Sequence, residues 1–447
     1  MTDCSTITGV RAWEALDSRG NPTVAAEISL GGGETGMALA PSGASAGRYE
    51  AHELRDGGAR YGGMGTRRAA GNAAGPLAAA VRGLDATDQA AVDTALRAAD
   101  GTEGLKRMGA NAVLAISVAT ARAAAAAAGL PLHEFVARDG HPPRLPLPMV
   151  NILSGGAHAG WSIDVQDFLV VPNGAKSFSD AIRMAWEVRR SAAQGVRKAG
   201  HNAALVADEG GLGPILKSSR AALDILAEAI SQAGYEPGAD VSIAIDVAAS
   251  QLFDSKSDQY VLATEERRLT AAELIQELVS WRSQYPIVSI EDPLDEDDWA
   301  AWPKALSALS DIQILGDDLF VTDVARVERG IREKAANAVL VKPNQIGTLT
   351  DAMKVVLTAR EAGMATVLSA RSGETEENWL ADLAVGWSTG QIKVGSTTRS
   401  ERTAKWNRLL DIEARSSETI PFAGLQGLAP LSNTGRESEI ADKVRNE

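Results

Sequence analysis

Cysteine is almost missing: Cys4 is the single one in 447 residues. An intramolecular disulfide is therefore excluded, and a reducing, cytoplasmic setting is expected. Positive charge is also scarce, with 44 lysines and arginines against 58 acidic residues and a formal net charge of −14. That balance argues against nucleic acid as a partner, and an anionic ligand would have to be met by local cations or metal ions. No apolar h-region opens the chain, so no secretory leader is expected. The most apolar long stretch, Asn111 to Leu130, is dominated by alanine and broken by Arg122, which predicts a packed helix and no membrane span. Neither an internal repeat nor a long low-complexity linker is visible. The glycine-rich PSGASAG, residues 41–47, matches no P-loop pattern and reads in isolation as a surface loop.

What is present is enough apolar residue, 45%, for a large interior, and a length that predicts two domains. Short alternating runs punctuated by glycine, such as TVAAEISL, predict a small antiparallel sheet over about residues 5–60. Alanine-rich helices follow over 66–137. HPPRLPLP, residues 141–148, is dense in proline and marks the boundary. The expected division is an N-terminal α+β domain over 1–140, a β/α domain over 141–430 and a polar tail over 431–447.

In the second region, apolar runs repeatedly close on a charge. SIAID ends at Asp246, YPIVSIE at Glu291, IQILGD at Asp317, AVLVK at Lys342 and GQIK at Lys393, while TVLSA is followed at once by Arg371. Most intervals between them hold a helix-like stretch. Strands that end in charge and alternate with helices predict a β/α barrel with its active site at the C-terminal rim. Three carboxylates and two lysines on one rim suggest a divalent metal site beside a proton-transfer site.

With the segments EALDSRGNPTV, PSGASAG, ELRDGG, MVNILSGGAHAG, DEGG, SIEDPLDEDDW, GDDLFVT, KPNQIGTLT, RSGETEE and GQIKVGS in this order, the chain resembles the enolase family from near its N-terminus to about residue 412. The resemblance implies an α/β, enolase-type fold: a capping α+β domain before a TIM-like barrel whose second strand is antiparallel. It also implies two Mg²⁺ ions, a homodimer or higher homo-oligomer, a small anionic phosphorylated substrate, and conversion of 2-phosphoglycerate to phosphoenolpyruvate. On matching positions, Asp246, Glu291 and Asp317 would ligate metal, and Ser45 would join the second ion. Lys342 would be the general base, its pKa lowered by Mg²⁺ and Lys393. Lys393 would also pair with the substrate carboxylate. Arg371 and Ser372 would clamp phosphate, Glu209 would protonate the departing hydroxyl, and His158, Gln166 and Asp167 would lie near the substrate.

Three positions depart from the family pattern. SARSGE places Ala370 where enolases carry histidine, Asp167 stands in place of glutamate, and Pro343 replaces the aliphatic residue after Lys342. The first two belong, in the family, to the side from which hydroxide leaves. Besides ordinary dehydration, two alternatives follow. One is a paralogue of phosphonate (phosphinothricin) biosynthesis resembling carboxyphosphonoenolpyruvate synthase, which transfers phosphonoformate from a CMP-activated donor to a phosphoglycerate-type acceptor. The other is a non-catalytic, enolase-like scaffold.

Overall fold

Three antiparallel strands, β1 (Ile7–Leu16), β2 (Pro22–Leu30) and β3 (Thr35–Leu39), start the fold in the order β1-β2-β3. They belong to a computed structural model that describes residues 4–44, 47–137, 141–416 and 419–428. The sheet ends well short of residue 60. Beyond Leu39 the chain is rich in proline, glycine and serine, and it leaves the ladder to lie against the barrel mouth. There Ser42 and Gly373 exchange two backbone hydrogen bonds of 2.8 Å, and the Ser18 amide donates to the Glu374 carbonyl at 2.7 Å. The proposed polar tail, 431–447, lies outside the described residues, as does Ser45.

The alanine-rich stretch forms the helix Ala110–Ala127, and fifteen of its eighteen residues are buried. It packs on β2 and β3. A helix apolar on every side belongs in an interior, and here small side chains let backbone meet backbone. A Cβ added to Gly36 of β3 would stand 2.2 Å from the Ala119 carbonyl oxygen and 2.3 Å from the Ala123 nitrogen. Any larger residue at Gly36 would prise sheet and helix apart.

The closed barrel is built from β4 (Leu147–Ser154), β5 (Asp167–Val171), β6 (Ser242–Asp246), β10 (Ile287–Glu291), β11 (Gln313–Gly316), β12 (Ala338–Val341), β13 (Ala365–Ser369) and β14 (Gly390–Gly395). A small side sheet of β7 (Phe253–Asp254), β8 (Gln259–Leu262) and β9 (Arg267–Leu269) is inserted after β6. The proline-dense segment is therefore only partly a connector, since Leu147 and Pro148 already open β4. Between β4 and β5 runs a loop with a single short 3₁₀ turn, so β5 returns antiparallel to β4 and also lies antiparallel to β6. Parallel neighbours need a crossover of a dozen or more residues. Longer connections bearing helices such as Ala271–Gln284, Val324–Glu333 and Leu349–Glu361 keep the other strands parallel. The first of these helices is fixed by a capping box between Thr270 and Glu273.

Inside the barrel, Leu147, Met149, Leu169, Val171, Ala244, Leu315, Leu340 and Val367 form one apolar cluster. Side chains alternate faces along a strand. Two residues beyond this layer, the same inward face carries Asn151, Asp246, Asp317, Lys342 and Ser369. A buried polar layer of Ser289, Gln313 and Gln391, hydrogen-bonded at 2.9–3.2 Å, sits two residues before Glu291 and Lys393. Strand period alone therefore turns the charged set into the upper lumen.

Candidate active site

Register sets the heights of the charged groups. Glu291 pairs with Asp246, Asp246 with Asp167, and Lys393 with Ser369. Because β5 runs backwards, its first residue, Asp167, and not its last, reaches the active rim. In the closed strand order, β12 and β5 are separated by three strands on either side. Lys342 and Asp167 therefore face each other across the barrel.

On the Lys342 side the charges interlock. Lys393 Nζ donates to Asp246 Oδ2 at 2.8 Å and to Glu291 Oε2 at 2.7 Å. Lys342 Nζ is paired with Asp317 Oδ2, and Gln345 Nε2 donates to Asp317 Oδ1 at 2.9 Å. Gln166 Nε2 donates to the same Asp246 Oδ2 at 3.2 Å, Asp246 Oδ1 accepts the Ala248 N–H at 3.1 Å, and Gln251 in turn donates to Gln166 at 3.2 Å. Asp292, at a left-handed φ of 41°, accepts the backbone N–H groups of Asp317 and Asp318 at 3.0 and 2.8 Å. Asp292, Asp317 and Asp318 each bring an oxygen within 4.8 Å of the others.

The electrostatics follow from this crowding. Burial, then Asp246, pushes the Glu291 carboxyl well above the usual carboxylate range. Burial, then Asp318 and Asp317, does the same to Asp292. Burial lowers the Lys393 and Lys342 pKa, but their carboxylate neighbours outweigh it and hold both above the ordinary lysine value. The lowered Lys342 pKa expected for a base is thus not a property of the protein alone, because Asp317 holds its proton. One oxygen of Glu291, Oε1, is buried without a hydrogen-bond partner among the described residues. An orphaned carboxylate oxygen beside two further buried carboxylates fits a hard divalent cation, and Asp246, Glu291 and Asp317 are the residues that would hold it.

On the Asp167 side the arrangement differs. Asp167 is fully buried. Its Oδ1 accepts from Asn151 at 2.5 Å and Ser154 at 2.9 Å, and its Oδ2 faces His158 Nδ1 at 2.8 Å. It does not line the cavity in which Lys342, Lys393, Glu209, His158, Gln166 and Ala370 meet. Both oxygens of Asp167 are thus held by protein partners, with the carboxylate behind His158. Glu209 is presented by a turn at Gly210, φ 83°, where a Cβ would stand 2.6 Å from the Thr398 carbonyl oxygen.

Arg371 and Ser372 follow β13. Arg371 forks onto Glu50 of the N-terminal domain at 2.8 and 3.2 Å, and Ser372 Oγ accepts the Ala44 N–H at 2.5 Å. The fully buried Arg402 pins this loop by donating to the Arg371 and Ser372 carbonyls, both at 2.6 Å. Glu50, Gln345, Gln251 and Asp292 escaped sequence reading. Asp292 carried a signal, since it stands beside Glu291 in SIEDP; Glu50 lies in a loop, and Gln251 and Gln345 sit in the short turns Ala249–Gln251 and Pro343–Ile346, where no charge at a strand end marks them. Pro343 occupies the first position of the turn Pro343–Ile346, with Lys342 as its cap. The missing N–H would have no intrahelical partner there, so this departure costs the fold little.

Residues 7–136 match the family described as Enolase, N-terminal domain. Residues 143–430 match Enolase, C-terminal TIM barrel domain. Together these matches span most of the chain, and their meeting at one closed rim of carboxylates and lysines makes this protein a member of the enolase family.

Proposed function

We propose that the protein is a Mg²⁺-dependent lyase that removes the C2 proton of 2-phosphoglycerate and releases water to give phosphoenolpyruvate. The observation that carries this reading is the buried Lys342–Asp317 pair beside the Lys393–Asp246–Glu291 cluster on one rim. A proton next to a carboxylate is very weakly acidic, so its removal needs a base and concentrated positive charge where the enolate develops. Divalent cations held by Asp246, Glu291 and Asp317 would supply that charge. Lys342 takes the C2 proton as the free amine, the form it would reach by losing its own proton when Asp317 turns to a cation and no longer stabilises the ammonium. Lys393 pairs with the substrate carboxylate. Arg371, whose planar fork suits a phosphate, exchanges Glu50 for the phosphoryl group, and Ser372 adds a hydroxyl. His158 and Glu209 line the side opposite Lys342, where the C3 hydroxyl departs.

A second reading is favoured by one observation: the two positions that depart from the family pattern leave the cavity short of side chain, since Asp167 is withdrawn behind His158 and Ala370 lines the wall with a methyl group alone. In this reading the proton-abstracting half serves a paralogue whose acceptor is phosphoglycerate-like and whose partner substrate is an activated phosphonate.

The test uses purified protein, Mg²⁺ and 2-phosphoglycerate. Deuterium wash-in at C2 is followed by NMR and the enol product by absorbance. Exchange and dehydration at matched rates, within about tenfold of a median enzyme turnover of ~10 per second, support the lyase. Exchange that far outpaces dehydration supports the paralogue. Absence of both defeats the reading. The double variant Ala370→His with Asp167→Glu separates the two further: dehydration rises by roughly 10²–10⁴-fold in a drifted lyase and stays near its starting level in a paralogue.

A further inference from the structure

We propose that Arg189 is the positioning residue that aims Glu209 into the leaving-group side of the cavity. This inference rests on the lyase reading of the same site, in which Glu209 serves the departing C3 hydroxyl.

Glu209 is aimed by its backbone. Its side chain is buried and lines the cavity, yet no hydrogen bond from another described residue reaches its carboxylate. A side chain without a fixed partner points where its own turn sends it, so whatever holds residues 207–210 holds Glu209. Glycine lets that turn fit. A Cβ on Gly211 would stand 2.6 Å from Ser154 Oγ and 2.7 Å from Asn151 Oδ1. Backbone carbonyls then anchor it. Glu209 O accepts the Ser396 N–H at 2.8 Å, and Asp208 O accepts from Arg402 Nη2 at 3.4 Å. Gly210 O accepts from Thr398 Oγ1 at 2.8 Å and from Arg189 Nη2 at 3.1 Å.

Ser396, Thr398 and Arg402 all follow β14, whereas Arg189 reaches the turn from the helix Phe178–Lys198. Its Nε donates to Ser396 Oγ at 2.9 Å, and its Nη2 donates to Gly210 O at 3.1 Å and to Thr398 Oγ1 at 3.2 Å. One rigid, planar fork thus spans the exit of β14 and the turn that carries Glu209. All three acceptors are neutral. Burial, unopposed by any acidic neighbour, lowers the pKa of this arginine from its ordinary value. A guanidinium drawn partly out of water without a counter-charge costs the fold free energy, and no carboxylate competes to pull the fork away from the Gly210 carbonyl. A short neutral side chain on that helix would leave the turn tied to the β14 exit alone. Displacing a reacting group by about 1 Å costs on the order of 10²-fold in rate, so a loosened turn is felt at the leaving group and hardly at Lys342, across the barrel.

The test reads the turn and the reaction separately. Amide hydrogen exchange with mass detection follows the turn in the full-length protein without substrate. In Arg189→Met, peptides covering residues 203–213 should exchange about tenfold faster, while those covering Leu349–Glu361 stay as in wild type. With 2-phosphoglycerate the same variant should lose about 10–100-fold in elimination. Its C2 proton exchange and KM should stay within about threefold of wild type. Ethylguanidinium added to Arg189→Ala should restore elimination, and ethylamine should not. Thr398→Val removes a single hydroxyl from the same frame; it should move both readouts in the same direction by less, and it decides the matter where the arginine variants fail to fold. An unchanged turn, equal losses in C2 proton exchange and elimination, or ethylguanidinium without effect would overturn the assignment. So would a loosened turn in an enzyme that eliminates at the full rate. In a protein that never eliminates, the proposed function falls, and the exchange of the turn amides still decides whether Arg189 places Glu209.

Discussion

The two sides of the barrel rim are built on different principles. Around Lys342 and Lys393, opposite charges alternate in direct contact, and each lysine is held by a carboxylate from another strand. Around His158, one ring stands against Asp167, which is itself tied down by neutral amide and hydroxyl donors. The first side stores charge that a cation or substrate can rearrange. The second holds one proton in a fixed direction. Of the departures from the family pattern, Asp167 falls on the second side, where its shorter side chain is fully met by protein donors and strands no buried charge.

The comparison breaks most sharply at Lys342. Lys342→Ala should reduce C2 proton exchange by about 10⁴-fold while substrate binding changes only a few-fold, because a base acts mainly on the transition state. Deuterium wash-in and equilibrium titration measure the two quantities separately, and unchanged exchange would place the base elsewhere.

Lys393 tests how far the first side depends on compensation. Lys393→Ala strands Asp246 and Glu291 against each other, and in metal-free protein it should cost about 3 kcal/mol near neutral pH, the scale of a broken buried pair. The loss should shrink in acid, where the carboxyls can protonate, and should be partly recovered in excess Mg²⁺. Urea titrations with and without the ion check this. A loss indifferent to both would mean that the lysine merely fills space.

On the second side the effect is governed by pH. His158 has a folded pKa of about 9 against 6.5 for the free group, so the folded state holds its proton more tightly. The associated stability is complete below about pH 6.5, falls as pH rises through about 9, and amounts to about 3 kcal/mol at most. Urea stability of wild type minus His158→Asn should therefore decline across that window. A flat difference would remove the charged histidine from the account.

Pro343 should matter least. Its position at the start of a turn already suits proline, so Pro343→Ala should change stability by less than about 1 kcal/mol and leave C2 exchange within twofold to threefold. A large loss would give this departure from the family pattern a role that the fold does not display.

Six barrel strands were legible because each is a short apolar run that ends on a charge, from Asp246 to Lys393. The strands β4 and β5 were not legible by that rule. β4 begins inside a proline-dense segment, and β5 carries its functional residue, Asp167, at its first position because it runs the other way. The sheet at the N-terminus was read as reaching about residue 60, but its last strand ends at Leu39, and beyond it Ser42 and Ala44 are hydrogen-bonded to Gly373 and Ser372 at the barrel mouth. The metal-binding expectation named Asp246, Glu291 and Asp317 from strand ends. Contacts made by Glu50 and Gln345 could not be read in the same way, since they depend on which loops the cap brings down over the rim.

Strand period, charge at strand ends and the order of motifs are local properties, and through them the amino-acid sequence by itself determined the two-part enolase fold and the rim where its chemistry gathers. Which carboxylate each lysine neutralises, that Asp167 serves His158 and not the cavity, and that Arg371 is held by Glu50 were decided only by the tertiary structure. Those pairings join residues far apart in the chain, over gaps of a few ångström, and one methylene or one reversed strand is enough to redirect them.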